Sequence, residues 1–396
     1  MPRHLPPTAI PTTLSDLRNA LGTPGGTQER LRAALAGYLG LGACRLASSG
    51  RTALFLLLRA LRDEADHPGR REVAMPAYTC PALARVALDL DLRPRFVDIS
   101  PQTLGFEAGA LEGTVGERTL AVICVHPFGM PQPVEPARAL AHAAGATLIE
   151  DAAQSLGARL GNQPVGTLGD FGLFSLGPGK PISTGGGGVL CARAGRPARL
   201  VDAAWQDLPA PSAAASGWSL ARLALLTLFF HPRGWWLVTR LGLHRISDHE
   251  ASWGYTLRGL SHAQAAVGLA LLERLDAINA RRLANARHLL AGLQGLRGVY
   301  VPSPTATALP IYLRLPLMVD DESRREGVYQ RLWAAGIGVG RMYRNSLPQL
   351  FPEWADQPYP GAEYAARHLL TLPTHHYLAQ ADLAAILRIL QAEAGD

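Results

Sequence analysis

Apolar and polar positions along this chain fall into two alternating kinds of segment. Short apolar runs at 72–76, 95–99, 119–125, 147–150, 171–176 and 188–192 have the length of buried strands. Stretches of helical character separate or precede them, at 28–37, 54–61, 81–88, 134–144 and 152–156. Strands alternating with helices predict an α/β fold with a mostly parallel sheet covered on both faces. Ligands of such sheets bind beyond the carboxyl ends of the strands. Ser49, Tyr78, His126, Asp151 and Ser175 all fall at those ends or just after them.

The pattern changes after residue 204. A Pro-, Ser- and Ala-rich neck at 205–217 leads into an apolar segment, 218–243, carrying Trp218, Phe229, Phe230, Trp235 and Trp236. Its uncharged stretch at 223–230 is too short to span a bilayer, and His231-Pro232 interrupts it. Two readings stay open, a buried insertion and an interfacial segment that touches a membrane surface. One long amphipathic helix is expected from 261 to about 293, followed by a strand at 309–317 and helices at 322–335, 362–370 and 380–392. The expected organisation is therefore a large domain over 1–260, with an N-terminal arm and the apolar insertion near 205–245. A connector helix and a smaller α/β domain would occupy 261–396.

Composition narrows the function classes. Of 396 residues 18% are charged and 48% hydrophobic, which excludes a disordered chain. The net charge of +6 comes from scattered arginines, which favours small anions or anionic surfaces over nucleic acid. Cys44, Cys80, Cys124 and Cys191 are widely spaced without a CxxC pair, so reduced thiols and a cytoplasmic location are expected. Residues 1–11 lack the apolar core of a signal peptide. His375 and His376 are adjacent and point apart in extended chain, so no metal site is expected. Asp320 and Asp321 read as helix caps or as partners of a helix N-terminal dipole.

Chemistry concentrates at one residue. Lys180 is the only lysine among 38 lysines and arginines. A guanidinium stays protonated and attacks carbonyls poorly, whereas a desolvated amine can form an imine. Lys180 follows an apolar run in a Gly/Pro-rich turn, beside the glycine run 185–188, whose expected job is close backbone approach. If the imine partner is pyridoxal 5′-phosphate (PLP), a carboxylate must keep its ring nitrogen protonated. Asp151 ends a strand where such an acid belongs, and Gln154, three positions on, can reach the ring oxygen. Backbone N–H groups around Gly50, Arg51 and Thr52, where a small-residue turn opens a helix, and the Ser175 hydroxyl can hold a phosphate.

Those residues resemble the DegT/StrS family of fold-type I PLP enzymes, mostly nucleotide-sugar aminotransferases. The resemblance covers roughly 40–390 and is most specific in Glu150-Asp151-Ala152-Ala153-Gln154, Gly166-Thr167-Leu168-Gly169-Asp170, Phe174-Ser175 and Gly179-Lys180. It implies that Lys180 carries the cofactor, Asp151 meets the ring nitrogen, Gln154 the ring oxygen, and Ser175 the phosphate. It also implies an amino-acid donor, usually L-glutamate, a keto-sugar acceptor, and a homodimer with shared active sites. Three positions depart from the family pattern. Arg51 stands where threonine is common. Cys80 replaces a ring-stacking aromatic, leaving Tyr78 as a neighbour able to serve. Thr256 is a shorter stand-in for the residue that reaches the phosphate across the dimer. Two alternatives remain: a PLP enzyme acting on a non-sugar or lipid-linked ketone at the inner membrane face, and a non-catalytic scaffold relative.

Overall fold

A computed structural model of the chain describes residues 3–22, 25–64, 69–243 and 254–394. Its thirteen described strands are β1 Ala43–Ala47, β2 Glu72–Pro76, β3 Arg93–Val97, β4 Thr119–Val125, β5 Thr147–Asp151, β6 Arg159–Leu160, β7 Gln163–Pro164, β8 Phe171–Ser175, β9 Gly188–Ala192, β10 Val299–Tyr300, β11 Ala308–Leu309, β12 Arg314–Val319 and β13 Leu369–Pro373. The helices of the first half are α1 Leu14–Leu21, α2 Thr27–Leu39, α3 Gly50–Glu64, α4 Ala82–Leu88, α5 Glu135–Ala143, α6 Arg196–Trp205, α7 Ala213–Phe229 and α8 Pro232–Arg240. Those of the second half are α9 His262–Glu273, α10 Leu275–Leu293, α11 Glu322–Ala334, α12 Leu347–Leu350, α13 Pro360–His368 and α14 Gln380–Ala394.

Seven strands form the main sheet in the order β1-β9-β8-β5-β4-β2-β3. From β8 to β3 every pairing is parallel, while β9 runs antiparallel to both β8 and β1. β2, β4 and β9 are buried at every position, because helices cover both faces of the sheet. The second half adds a three-stranded antiparallel sheet, β10-β12-β13. The N-terminal arm crosses to it, with Leu5 bridging Ile337 and His375 Nε2 donating to the Pro6 carbonyl at 2.8 Å.

Several expectations need correction. Residues 152–156 form turns, not a helix. Ala152 N–H still bonds across the sheet to Leu173, and the Asp151 carboxylate takes the Ala153 N–H, so side chain and sheet compete with helix formation. β1 went unrecognised because its five residues run straight into α3 with only Ser48 and Ser49 between. The long connector is two helices, broken at Arg274, whose backbone is non-helical. The break lets α9 pack on α2 and α1 while α10 buries Asn279, Arg282 and Asn285 elsewhere. Asp321 does cap α11, accepting the Arg324 N–H.

The expected reduced thiols are also corrected. Cys44 and Cys191 form a disulfide, while Cys80 and Cys124 are free. The two partners lie 147 residues apart but are directly opposed in the β1–β9 register, with Cα atoms 4.1 Å apart. Only the sheet topology brings them together.

The apolar insertion folds as α7 and α8. No single described helix is long and apolar enough to cross a membrane; the α7–α8 pair passes such a test only together, bent by 86°. Leu223 is fully buried and Trp235 is 7% exposed, yet Trp218, Leu228 and Leu241 are 65%, 61% and 61% exposed. The insertion is thus buried on one side and open on the other.

Candidate active site

The carboxyl ends of β4, β5 and β8 and the start of α3 open onto a cavity of about 330 Å³. Lys180, Asp151, Gln154, Ser175, Gly50, Arg51, Cys80 and His126 all line it. Eight residues singled out from the sequence thus meet in one place.

The α3 end is built by small residues. Ser49 Oγ accepts the Thr52 N–H at 3.1 Å, capping the helix, and Thr52 Oγ1 lies 3.0 Å from Ser48 Oγ and 2.9 Å from Ser49 Oγ. A Cβ on Gly188 would come within 2.3 Å of the Ser49 carbonyl oxygen and 2.5 Å of the Gly50 nitrogen. The last glycine of the run therefore permits β9 to pass directly under the turn. Gln264, in the capping box of α9, donates to the Thr184 and Gly186 carbonyls at 3.2 and 3.1 Å and pins the run from the other side. Ser175 Oγ faces this turn and accepts the Gly177 N–H at 3.2 Å.

At the β5 end two adjacent acids do different work. Glu150 is fully buried and accepts the N–H groups of Gly166, Leu168 and Gly169 at 2.7, 2.6 and 2.6 Å. It also meets His126 Nε2 at 2.9 Å. His126 Nδ1 accepts the Gln132 N–H, so Nε2 carries the ring proton and donates to Glu150. Asp151, on the other face of the strand, spends Oδ1 on the Ala153 N–H at 2.9 Å and lines the cavity. Burial raises its pKa, against the pull of that N–H and of the neighbouring Lys180.

Burial lowers the pKa of Lys180, and the nearby Arg314 charge adds to the shift, while Cys80 and Asp151 oppose it. Desolvation therefore favours the neutral amine that imine formation needs.

Three expected residues do not line the cavity. Thr52 is buried beneath the turn that it braces. Tyr78 turns its hydroxyl to the Met342 carbonyl and its ring edge toward Tyr343. Thr256 meets the turn of its own chain through its backbone carbonyl, which accepts from Thr52 Oγ1 at 3.1 Å and from Ser48. Conversely, Tyr343 and Arg222 line the cavity and were not anticipated. Gln154 Nε2 donates to Tyr343 Oη at 3.4 Å, and burial pushes the Tyr343 pKa well up. Arg222 sits beside Leu223, which packs on Gly185, so α7 carries it to the cavity. Only the folded insertion reveals that.

The donor set fits PLP. The first N–H groups of α3 have no intrahelical acceptor and, with the Ser175 hydroxyl, suit a phosphate. A buried aspartate suits a protonated ring nitrogen, whose positive charge favours the carboxylate form that burial alone disfavours, and a desolvated lysine suits a carbonyl. Among the described residues no group of three metal-binding side chains occurs.

Relatives agree with this geometry. The sequence profile of the DegT/DnrJ/EryC1/StrS aminotransferase family matches residues 12–391. A UDP-N-acetyl-3-dehydro-alpha-D-glucosamine 3-aminotransferase of Acidithiobacillus ferrooxidans is 28% identical, over 97% of this chain and 92% of its own. An L-glutamine:2-deoxy-scyllo-inosose aminotransferase of Micromonospora echinospora is 32% identical over 76% of this chain and 65% of its own. The crystal structure of the aminotransferase TlmJ from Streptoalloteichus hindustanus superposes with a TM-score of 0.78 at 25% identity, covering 99% of both chains. The cavity, its lone lysine and a match over nearly the whole length lead to one assignment: this chain belongs to the DegT/DnrJ/EryC1/StrS aminotransferase family, whose members carry PLP.

Proposed function

We propose that this enzyme moves the amino group of L-glutamate to the ketone of a nucleotide-linked sugar. The observation that carries the reading is the meeting of Lys180, Asp151, Ser175 and the start of α3 in one cavity. The name of the Acidithiobacillus relative, which matches along 97% of this chain, supports a nucleotide-linked acceptor.

In this reading Gly50 and Arg51, at the start of α3, and Ser175 hold the cofactor phosphate. Asp151 keeps a proton on the ring nitrogen, and Gln154, steadied by Tyr343, meets the ring oxygen. When bound, PLP supplies an electrophilic carbonyl and a sink for the electrons left on the reacting carbon. Lys180 Nζ, whose neutral form desolvation favours, takes the proton from the donor's α-carbon and returns one to the acceptor carbon. Leu54, Pro81, Leu83 and Leu173 wall the cavity with apolar surface and keep water from that proton. Arg222 is placed to meet a negative charge on either substrate. Lys180 also argues against an idle scaffold, since it lines the cavity beside Asp151 and Ser175, where an imine-forming amine has a task. We further propose a homodimer, in which a second chain closes the mouth of the cavity.

The test is the visible absorbance of the PLP-loaded enzyme before and after L-glutamate. Loss of the yellow band on adding glutamate, and its return with an added keto acid, supports the reading. A band that ignores every amino acid offered removes it.

A second reading, with a lipid-linked ketone at a membrane surface, is favoured by one observation. Trp218, Leu225, Leu228 and Leu241 are exposed on α7 and just past α8, with Arg222, Arg233 and Arg240 as the charged residues of these two helices. Sedimentation with anionic liposomes decides it: no binding by the whole protein ends this reading.

A further inference from the structure

A second cavity, of about 290 Å³, lies on the other side of the Lys180 turn, and Pro178 lines both. Besides Pro178, distant parts of the chain build it: the N-terminal arm at Pro7 and Thr8, the insertion at Trp235, α11 at Tyr329 and Trp333, and Arg314 with 339–342 and Arg344. Arg314, Arg341 and Arg344 line it, and no aspartate or glutamate does.

Three donors in its wall are unsatisfied. The Trp235 indole Nε1 is buried without a hydrogen-bond partner, in a side chain only 7% exposed. Arg314 has no carboxylate partner among the described residues; its guanidinium donates to the Met342 thioether, and its Nε is unpartnered. Burial pushes the Arg314 pKa down to about 10, which still leaves it charged at neutral pH. Arg341 is paired with Glu326 at 2.6 Å and lies 3.9 Å over the Tyr329 ring, yet its Nε is also unpartnered. Buried donors without acceptors cost free energy, and a buried guanidinium without an anion costs more. A wall of cations and N–H donors with no acid is complementary to a multiply charged oxyanion, for which a single carboxylate carries too little charge.

We propose that this second cavity is a phosphate-binding subsite, in which Arg314 and the Trp235 N–H hold phosphoryl oxygens. This inference gives α8 a purpose: its bend against α7 accompanies the placing of Trp235 in the wall that Arg314 also lines. In combination with the proposed function, on which this part rests, the phosphoryl group belongs to the nucleotide of the acceptor. A free phosphate or diphosphate would meet the same donors.

The experiment is calorimetric titration of the PLP-loaded enzyme, freed of excess cofactor, with inorganic diphosphate. The expected result is one diphosphate per chain, weakened at least about tenfold by Arg314→Gln and about threefold by Trp235→Phe. Trp235→Phe keeps an aromatic ring against Phe230 while removing the N–H together with part of the indole, so, with the cofactor band retained, it tests the loss of this donor should Arg314→Gln fail to fold. Retention of the visible cofactor band in each variant shows that the first cavity is intact. UDP that displaces diphosphate and shows the same dependence on both residues assigns the site to the acceptor's phosphates. Diphosphate binding that UDP does not disturb assigns it to a free phosphate ligand. No diphosphate binding, equal binding by the variants, or Arg314-dependent binding of acetate alone overturns the proposal. The glutamate-driven spectral change is read separately, so failure of the amino-transfer reading leaves this result standing or falling by itself.

Discussion

Replacing Glu150 by glutamine changes one atom and breaks two hydrogen bonds. Oε1 accepts from Leu168 and Gly169, both at 2.6 Å, and Oε2 from Gly166 at 2.7 Å and His126 at 2.9 Å. Whichever way the amide turns, its NH₂ faces two donors and its oxygen keeps two. Orphaning two buried donors costs about 2–6 kcal/mol, at about 1–3 kcal/mol each. Against a native stability of about 5–15 kcal/mol, that is a large fraction. Asp151→Asn is the control from the neighbouring residue. Its Oδ1 accepts a single backbone N–H, which an asparagine oxygen also accepts, so the loss should stay below about 1 kcal/mol. Urea unfolding followed by circular dichroism measures both. The expected pattern is a clear loss of stability for Glu150→Gln with little change for Asp151→Asn, and the reverse order for PLP affinity. A Glu150→Gln protein within about 1 kcal/mol of wild type refutes the argument that Glu150 pins the 166–169 turn.

Three other outcomes follow from particular contacts. Gly188→Ala forces a Cβ against the backbone of Ser49 and Gly50, and should weaken PLP binding at least about tenfold by equilibrium dialysis; unchanged affinity contradicts the close approach. Burial holds His375 down to about 3 and His376 to about 4, below the ordinary 6.5. The unfolded chain therefore takes up these protons first. Their contribution is complete above pH 6.5 and is lost as pH falls toward 4 and then 3, by at most about 1.4 kcal/mol per pH unit for each. His375→Gln, which can still donate to Pro6, should flatten that slope; an unchanged slope between pH 6.5 and 4 refutes it. Thiol titration of denatured, unreduced protein should find only Cys80 and Cys124, and four reactive thiols would remove the Cys44–Cys191 bond.

What the sequence disclosed and what it hid divide along a physical line. Strands such as Glu72–Pro76, Thr119–Val125 and Gly188–Ala192 were legible because they are buried on both faces and read as unbroken apolar runs. Lys180, Asp151 and Ser175 were legible because strand ends are where such sheets place ligands, and because one lysine among so many arginines stands out. Contacts between distant segments left no local trace. The Cys44–Cys191 pair depends on strand order, and Tyr343 reaches the cavity from a loop after Gly340. Arg222 and Trp235 belong to an insertion whose apolar pattern told only that something must be covered. The break at Arg274 was hidden because apolar spacing continues through it, while the buried faces of α9 and α10 differ.

The central claim is that Lys180 carries the cofactor. Reduction of the PLP-loaded protein with sodium borohydride, followed by peptide mass mapping, tests it directly. The account predicts one covalent cofactor per chain, on the peptide that contains Lys180, the only lysine in the sequence. Label on the N-terminal amine, or no label at all, contradicts it.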